Sequence, residues 1–414
     1  MHKEIHLSKP LTGIRVLDMS RIFAGPYCAQ TLADLGAEVI KVERPGEGDD
    51  MRNYGPPFLK GADGKPTRDS SYYIAANRNK RGITVDLAKP EGQEIIRRLA
   101  AVCDVLIENY KAGDLARHKL DYPNIRKVNP RIIYASITGF GQEGPYKDRP
   151  GLDGCFQAMS GLMSLTGQAD GPPQRTGFVV SDTITSLFTT VAILSALYHR
   201  NLNNGPGQYI DMCLLDGQLA GLSHRATAYL ISGEVPIRQG NSTPSSFPSD
   251  VFPCKDGMLF ISAGMDHQFR RFLKVIGRSD LADDERYTKR LNRLQNKDYL
   301  KGIILERLAT RGMQEWVDDF AANNIIAAAV YTMDRTFTDP HVQTRKPVVH
   351  APHYNSANGT IPLLRSPIRM SETPITDADY KAPPSIGQHT DEVLKSLLGM
   401  DEATLAKLRA DKVV

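Results

Sequence analysis

IRVLDMSRIFAGPYCAQTLADLGAEVIKVE, residues 14–43, carries the patterns of a strand, a helix and a second strand in succession. Short apolar runs at Ile14–Leu17 and Glu38–Val42 predict the two strands. Between them, Gly25-Pro26 places a proline at the first turn of a helix, and Gly36 ends that helix. Two strands joined through a helix, with short glycine and proline punctuation, predict a parallel α/β sheet.

The same alternation continues through the first half of the chain. We predict further strands at Ile83–Leu87, Asp104–Ile107 and Arg131–Ser136, and a helix at Gly92–Ala101. The polar segment Gly46–Arg68 is rich in glycine and proline and is predicted to be an excursion or a surface loop. Ligands of parallel sheets usually bind beyond the carboxyl ends of the strands, so the loops there are candidates for a site.

The second half of the chain predicts a smaller α/β domain inserted into the first. Its predicted elements are a strand near Asp256 and amphipathic helices at Asp266–Val275, Tyr299–Ala309 and Met313–Ala321. We therefore predict a large domain built from both chain ends, residues 1–224 and 331–414, and a small domain at residues 225–330.

Composition argues against several classes of protein. Charged residues make up 24% of the 414 residues and apolar ones 41%, which is ordinary for a soluble globular protein. The formal net charge of +4 is small and no basic run is long, which argues against a nucleic-acid partner. The N-terminus lacks the apolar core of a signal peptide, and the apolar run at 183–198 is too short and too rich in Thr and Ser for a membrane span.

Cysteine and histidine usage completes this expectation. The five cysteines are scattered and form no CxxC pair, which favours a reducing compartment. The ten histidines show no HxxxH or HxH spacing, so no metal site is expected. We therefore expect a cytoplasmic protein that has no metal and associates with neither membranes nor nucleic acid.

One carboxylate is notable for its place in the chain. Asp182 closes the Gly- and Pro-rich segment Ser160–Asp182, and the apolar run Thr183–Tyr198 begins directly after it. Asp182 therefore lies where unpaired backbone N–H groups at a helix start favour a negative charge. Two interpretations stay open from this position alone: Ser181 and Asp182 cap the helix, or Asp182 is a nucleophile.

The familiar short motifs are absent or incomplete. Residues 139–144, GFGQEG, fit GxGxxG, but a polar loop with Pro145 and Pro150 follows instead of a helix, which disfavours a dinucleotide site. No GxxxxGK[ST], HExxH or GxSxG occurs, which removes the P-loop, zincin and α/β-hydrolase interpretations. Cys155 has no histidine nearby in sequence, so we interpret it as a structural thiol rather than a nucleophile.

Polar and cationic residues recur in the predicted loops. They occur at Arg21–Pro26, Arg44, Asn77–Arg81, Asn109–Lys111, Arg117 and Lys147–Arg149. Loops at successive strand ends of one parallel sheet converge in space, and their cations suit a phosphate-bearing ligand. The residues alone therefore predict an α/β enzyme that binds a phosphorylated ligand, with Asp182 or Asp153 near the reactive end of that ligand.

A series of phrases, in this order along the chain, resembles the class III CoA-transferases of the formyl-CoA transferase and CaiB–BaiF type. The phrases are LTGIRVLDMSRIFAGPYCAQTLADLGAEVIKVERPGEGD (11–49), NRNKRGITVDLAKPEG (77–92), DVLIENYKAG (104–113), NPRIIYASITGFGQEGPY (129–146), DGCFQAMSGLMSLTG (153–167) and HTDEVL (389–394). The resemblance covers nearly the whole chain, and the ordered series is more specific than any single motif in it.

This resemblance implies a Rossmann-like large domain, a small domain, and a homodimer of two chains threaded through each other. It also implies catalysis by an aspartate at a helix start after a DGPP loop; DGPP is here Asp170–Pro173, and the aspartate is Asp182. The implied contacts with coenzyme A fall on Phe23, Ala24, Arg44, Val85, Asp86, Leu87, Ala88, Asn109, Tyr110, Lys111, Arg117, Lys147 and Arg149.

The chemistry that the resemblance implies is covalent. Asp182 attacks an acyl-CoA to form an anhydride, the released thiolate returns to form an aspartyl-CoA thioester, and a small carboxylic acid then takes the CoA. The partners are thus CoA thioesters and an acid, with no permanently bound cofactor. Oxyanions formed on the way need N–H donors. The substrate and oxyanion residues predicted on this basis are Phe140, Gly141, Gln142, Asp153 and Gly264.

Two alternatives share the fold: an acyl-CoA racemase or isomerase, and a non-catalytic CoA-binding relative. The racemases carry a histidine in a GHD phrase as a second acid/base, whereas this chain has Gly151-Leu152-Asp153. Because leucine cannot transfer a proton, the racemase interpretation is disfavoured. The presence of Asp182 and its flanking phrases disfavours the non-catalytic one.

The substrate pair is harder to infer. Formyl-CoA transferases carry a run of glycines that closes over the intermediate, whereas residues 240–249 here are GNSTPSSFPS. Among succinyl-CoA, acetyl-CoA and formyl-CoA donors, this difference favours the first two, with a small dicarboxylic acid as acceptor. Arg149 and Arg238 are the candidates for holding the second carboxylate of such an acid.

Overall fold

The computed structural model describes residues 9–353 and 355–414, and this part of the chain divides into two compact units. The first unit comprises the chain up to Ser160, residues Gly177–Thr227, and the chain from Lys346 onward. The second comprises Gly161–Thr176 and Ala228–Arg345. The division into domains at 1–224, 225–330 and 331–414 stays a prediction.

Strands and helices alternate along most of the first unit. The strands of the two units are β1 Arg15–Asp18, β2 Glu38–Glu43, β3 Phe58–Lys60, β4 Pro66–Ser70, β5 Lys80–Thr84, β6 Val105–Glu108, β7 Ile133–Thr138, β8 Tyr209–Cys213, β9 Ser249–Cys254, β10 Gly257–Ser262, β11 Ile326–Ala329, β12 Val348–Pro352 and β13 Thr360–Leu364. The helices are α1 Ala24–Asp34, α2 Ser71–Asn77, α3 Pro90–Ala101, α4 Tyr122–Val128, α5 Asp153–Met159, α6 Leu162–Leu165, α7 Val180–Leu202, α8 Leu214–Leu222, α9 His224–Ser232, α10 Asp266–Val275, α11 Arg290–Gln295, α12 Lys297–Leu308, α13 Met313–Ala322, α14 Met333–Thr338, α15 Pro340–Thr344, α16 Thr390–Leu398 and α17 Glu402–Ala410.

The predicted parallel sheet is confirmed and has six strands in the order β5-β2-β1-β6-β7-β8. In its centre, Val16 of β1 is in register with Val39 of β2 and Val105 of β6. One apolar core on this unit contains α3, α16 and α17 residues, and another contains α1 and α7 residues. The strands are buried from both faces, which explains why they read as short apolar runs.

Two strands of this six-stranded sheet depart from the sequence prediction. β8 was not predicted, because its sequence YIDMC mixes polar and apolar residues at an edge that pairs only with β7. β5 begins at Lys80 rather than Ile83. The charged pair Lys80-Arg81 resembles a loop, but Lys80 is buried and its Nζ lies 2.9 Å from Asp18 Oδ2. Asn77–Arg81 therefore lies at the amino end of the sheet, not with the carboxyl-end loops.

The segment Gly46–Arg68 is also more ordered than predicted. It includes a short 3₁₀ helix at Asp50–Asn53 and most of the hairpin of β3 and β4. Most of its residues are exposed, in agreement with the prediction of an excursion or surface loop, but Asp49 and Arg52 within it are buried. Buried charges in a Gly- and Pro-rich stretch leave no periodic signal, so the sequence did not predict this burial.

The second unit contains an antiparallel sheet in the order β11-β10-β9 with helices packed around one core. Helix α10 has the predicted bounds, and α12 and α13 begin or end within two residues of theirs. In the first unit, α7 has 23 residues, so the judgement that its apolar run is too short for a membrane was wrong on length. By length and composition α7 could cross a membrane, although half of its most apolar window is buried inside the protein.

Candidate active site

Asp182 lies within the first turn of α7 and is not its cap. The helix begins at Val180, Val179 is the capping residue, and no side chain makes a capping hydrogen bond there. The capping interpretation of Ser181 and Asp182 is therefore wrong. The Asp182 side chain is instead buried, with the residue only 8% exposed. A buried carboxylate without a cation beside it is costly, which points to a role other than stability.

Burial dominates the ionisation of Asp182. Desolvation, followed by repulsion from the Asp153 carboxylate, raises the pKa of Asp182 to about 7, and a hydrogen bond from the Ala24 backbone N–H lowers it. The helix start favours the ionised carboxylate, but the desolvation penalty is larger, so the pKa of Asp182 rises rather than falls. Asp182 therefore changes charge near neutral pH.

Asp153 holds the start of α7 in place. It is the first residue of α5, and its Oδ1 accepts a hydrogen bond of 2.8 Å from the Ser181 backbone N–H. Its Oδ2 accepts one of 2.6 Å from Gln157 Nε2. The Ser181 hydroxyl in turn donates to Gln218 Oε1 at 2.9 Å, which ties α7 to α8. Asp153 therefore positions the turn that carries Asp182 and adds negative charge beside it.

Two adjoining cavities lie at the carboxyl edge of the sheet. The first, about 220 Å³, is lined by Asp182 and by six of the thirteen predicted CoA contacts, which come from three loops: Ala24, Asn109, Tyr110, Lys111, Lys147 and Arg149. The second, about 340 Å³, is lined by Tyr110 again and by six others: Arg44, Val85, Asp86, Leu87, Ala88 and Arg117. Because Tyr110 lines both, the cavities are neighbours, and together they link cations to a buried carboxylate.

Phe23 is the predicted contact that lines neither cavity. Its ring stacks on Tyr27 with centroids 5.3 Å apart and meets Tyr72 edge-on at 6.5 Å. The residue caps α1, so its side chain turns to an aromatic cluster while the next residue, Ala24, faces Asp182. The prediction of Phe23 as a CoA contact rested on its position in the family resemblance alone. In this structure its aromatic ring packs against Tyr27 and Tyr72 instead.

The predicted oxyanion residues make other contacts. The Gly141 N–H donates to Thr138 Oγ1 at 2.9 Å, and the Gln142 N–H donates to Asp211 Oδ2 at 3.1 Å. The Phe140 ring packs on Phe156 with centroids 5.2 Å apart. Gly264 belongs to the second unit, where its carbonyl accepts from Arg293 at 2.6 Å. The donor that the structure brings to Asp182 comes from Ala24.

Sequence reasoning missed Tyr54, a neighbour of Asp182. Burial, the Asp50 and Asp49 carboxylates and then Asp182 raise the pKa of its phenol. Its ring meets Tyr72 edge-on with centroids 5.9 Å apart. A tyrosine in a Gly- and Pro-rich stretch gives no signal by itself, and only the fold of residues 46–70 brings it to the site.

Cavity volume alone would point to a different candidate site. A larger cavity, about 1050 Å³, lies at the amino ends of β2 and β5, beside Glu38 and Arg81, and is not lined by Asp182. In the described ranges, no group of His, Cys, Asp and Glu side chains could hold a metal ion. The chemistry therefore points to the smaller cavities, which are lined by a buried carboxylate and by several cations.

Comparison with known proteins agrees with this arrangement. Residues 11–390 match CoA-transferase family III, so the protein belongs to this family and is an enzyme that transfers coenzyme A. It is 44% identical over 390 residues to the succinate–glutarate CoA-transferase of Agrobacterium fabrum, across 94% of this chain and 96% of that one. The mouse succinyl-CoA:glutarate CoA-transferase is 40% identical, across 98% of this chain and 90% of that one.

A solved structure shares the fold. The crystal structure of a CaiB/BaiF family protein from Brucella suis matches with a TM-score of 0.85 and 38% identity, over 94% of this chain and 100% of that one. The family resemblance read from the sequence is therefore confirmed, as is the prediction of an enzyme. The roles of the individual site residues stay predictions.

Arg44 and Arg117 line the second cavity, and their contact with the phosphates of coenzyme A stays a prediction. Both are exposed and form ion pairs with residues three positions away, Arg44 with Glu47 at 3.0 Å and Arg117 with Asp114 at 3.1 Å. We expect the double variant Arg44→Gln/Arg117→Gln to raise the KM for an acyl-CoA about 10- to 100-fold, because each substitution removes a charge-assisted hydrogen bond to a phosphate. Steady-state kinetics measure this.

The matched control for this prediction is a truncated substrate. An acylated pantetheine lacks the nucleotide phosphates, so its KM should stay unchanged in the same double variant. Arg270→Gln, a change at an exposed arginine of α10, should leave both KM values unaltered. An equal rise in KM for both substrates would contradict the assignment of phosphate contacts.

Proposed function

We propose that the protein transfers coenzyme A from succinyl-CoA to a small dicarboxylic acid through an aspartyl-CoA thioester on Asp182. The observation that carries this proposal is the buried carboxylate of Asp182. It lines one cavity, and the neighbouring cavity is lined by cations. The two relatives described above, whose printed names include succinate or succinyl-CoA and glutarate, support the substrate class.

The proposed reaction begins with nucleophilic attack by the ionised Asp182 on the thioester carbonyl carbon. A C–O bond forms, the C–S bond breaks, and the CoA thiolate leaves a mixed anhydride on the enzyme. The thiolate then attacks the Asp182 carbonyl carbon, and the first acid departs as a carboxylate, leaving aspartyl-CoA. An incoming carboxylate repeats these steps in reverse, so no net proton transfer or redox change is required.

The surroundings of Asp182 suit this role. Its pKa of about 7 leaves about half of it ionised at neutral pH and nearly all of it at pH 8, and burial removes the water that would otherwise stabilise the carboxylate. When the thiolate attacks the aspartyl carbonyl carbon, negative charge develops on the oxygen that Ala24 N–H faces in this structure. That fixed donor then stabilises the charge, as an oxyanion hole does.

Arg149 supports a dicarboxylic acceptor. It lines the Asp182 cavity, its guanidinium lies 3.7 Å over the Tyr146 ring, and it forms no ion pair with any carboxylate of the described residues. Arg238, the other candidate, belongs to the second unit, where it donates to the carbonyl oxygens of Gln168, Ser164 and Gly171. Arg149 is therefore the cation that we assign to the second carboxylate.

We expect Arg149→Gln to raise the KM for a dicarboxylic acceptor about 10- to 100-fold, because one charge-assisted hydrogen bond is lost. The KM for a monocarboxylic acid of the same chain length should change less than threefold. Both values come from initial rates of CoA exchange at saturating donor. If the KM for the CoA donor rises instead, Arg149 is a CoA contact, as the family resemblance also allows, and this acceptor role is wrong.

One position in the cavity argues against the alternative of an acyl-CoA racemase. Leu152 lines the Asp182 cavity where that chemistry needs a proton carrier, and no histidine lines this cavity among the residues described. A screen of donor and acceptor acids by CoA exchange tests the proposal. Exchange between succinyl-CoA and a dicarboxylic acid supports it, whereas deuterium incorporation at the α-carbon without exchange would favour the racemase.

We further propose an interlocked homodimer in the cytoplasm. Its support is a row of exposed apolar side chains on α7, where Leu187, Phe188 and Val191 are 45–59% exposed. Contiguous exposed apolar surface of this kind usually marks an interaction site. The scattered cysteines, with no CxxC pair, support the location because they favour a reducing compartment.

A further inference from the structure

The loop that brings Ala24 to Asp182 contains a strained residue. Ile22, two positions earlier, has a φ of 63°. A β-branched residue in this left-handed region is a clear outlier, since its side chain crowds the backbone. Such a conformation is unfavourable and persists only where surrounding groups hold it. The contacts of residues 20–22 show what holds this one.

Buried charges hold the first part of the loop. The Ser20 backbone N–H donates to Asp18 Oδ1 at 3.1 Å, and its carbonyl oxygen accepts from Lys41 Nζ at 2.6 Å. Lys41 projects from the middle of β2, and its Nζ also lies 2.6 Å from Asp49 Oδ2, with both side chains fully buried. This ion pair therefore places a charged donor directly beneath the loop.

Two further side chains hold the next residues. Asn109, just after β6, accepts from the Arg21 N–H at 2.7 Å and donates to the Arg21 carbonyl oxygen at 2.5 Å. Asp49 Oδ1 accepts from the Ile22 N–H at 3.1 Å. From Ser20 N–H to Ile22 N–H, every backbone polar group is thus bound by a side chain from another position in the fold.

A buried ion pair is a poor means of stabilisation. Removing two charges from water costs several kcal/mol, and apolar residues of similar volume often serve stability as well or better. Lys41 and Asp49 also hydrogen-bond the loop. Lys41 Nζ donates to the Ser20 carbonyl oxygen, and Asp49 Oδ1 accepts from the Ile22 N–H. That use of the pair indicates a positioning role.

We infer that Lys41, Asp49 and Asn109 are positioning residues that clamp residues 20–22 and thereby aim the Ala24 N–H at Asp182. This inference rests on the proposed aspartyl chemistry and deepens it. Asn109 lines the Asp182 cavity, but both groups of its amide are bound to Arg21, so its task is to hold the loop rather than CoA. A donor that drifts by about 1 Å loses much of its effect on an oxyanion.

The first test is Asn109→Ala, which removes both contacts with Arg21. We expect the rate of Asp182 acylation by succinyl-CoA to fall about 10- to 100-fold, with the KM for succinyl-CoA changed less than twofold. Because the Ala24 N–H lowers the pKa of Asp182, the pH midpoint of acylation should also move upward. Rapid-quench mass spectrometry of the Asp182 adduct from pH 5.5 to 9 measures both quantities.

The pH midpoint also depends on the other groups around Asp182, which these substitutions leave in place. They are Asp153 and Tyr54, whose charges interact with it, and the cavity cations Lys111, Lys147 and Arg149. A purely structural role for the clamp would change the melting temperature without moving this midpoint. The shift is therefore the readout that separates positioning from stability.

A matched pair of double variants isolates the Ile22 contact. Lys41→Met/Asp49→Ala and Lys41→Met/Asp49→Asn both remove the buried ion pair, but only the second keeps an oxygen for the Ile22 N–H. We expect the alanine pair to acylate at least fivefold more slowly than the asparagine pair. If either double variant fails to fold, Asn109→Ala alone decides the question.

The inference is overturned if Asn109→Ala raises only the KM, or if rate and pH midpoint stay at wild-type values. Either result would leave acylation of wild-type Asp182 intact and the proposed function standing. Failure of the proposed function is a different observation: wild-type Asp182 would carry no acyl or CoA adduct at any pH.

Discussion

Asp182→Asn should lower CoA exchange by at least about a thousandfold, because a covalent mechanism cannot proceed without its nucleophile. The amide has nearly the shape of the carboxylate and retains an oxygen for the Ala24 N–H. The change therefore removes the nucleophilic charge while preserving the packing of the first turn of α7. CoA exchange between succinyl-CoA and a dicarboxylic acid is the primary measurement.

A chemical trap gives the same prediction a second readout. Incubation of the wild type with acyl-CoA alone, followed by hydroxylamine or borohydride, should leave a modified Asp182 by mass spectrometry. The Asn variant should carry no adduct there. Asp283→Asn, at a side chain 90% exposed in the second unit, should exchange CoA at the wild-type rate. Full exchange by Asp182→Asn would exclude Asp182 as the acyl carrier.

The same substitution should stabilise the protein at pH 8. Asp182 has a pKa of about 7 when folded and about 3.8 when unfolded, so the folded state holds this proton more tightly. Stability from this group is complete below the unfolded pKa and is lost as the pH rises from about 4 to about 7. At 1.36 kcal/mol per pKa unit, the loss approaches about 4 kcal/mol. The neutral amide avoids it.

We therefore expect Asp182→Asn to raise the free energy of unfolding by about 2–4 kcal/mol more at pH 8 than at pH 4.5. Urea unfolding of both proteins at the two pH values measures this difference. Asp283→Asn should show no such pH dependence. An equal effect of Asp182→Asn on the free energy of unfolding at both pH values would mean that burial does not raise the pKa of Asp182. The outcome would then also weaken the explanation of its reactivity.

Much of the sheet could be predicted from sequence because its strands are buried from both sides. β1, β2, β6 and β7 lie within a few residues of their predicted positions, and α10 has its predicted bounds. Apolar runs between glycines and prolines carry that information locally. β8 could not be predicted from an apolar run, because it is an edge strand with polar residues and depends on pairing with β7 for its structure.

The site was predicted less evenly. Asp182 and the two groups of predicted CoA contacts came from family resemblance, and the fold brings most of them to two neighbouring cavities. Phe23, Gly141 and Gln142 instead have structural partners. Lys41 and Asp49 were not considered, because a lysine inside a strand and an aspartate in a polar loop ordinarily face solvent.

The sequence by itself determined the class of fold and the family and named Asp182 as the candidate nucleophile, because each depends on local patterns or on an ordered series of motifs. Only the tertiary structure decided the state of that carboxylate. Its pKa depends on burial, on Asp153 and on the Ala24 N–H, which come from separate parts of the chain. The clamp on residues 20–22 is likewise built from β1, β2, the segment after it and the end of β6. Desolvation and hydrogen-bond direction are properties of assembled neighbours, so no stretch of sequence contains them.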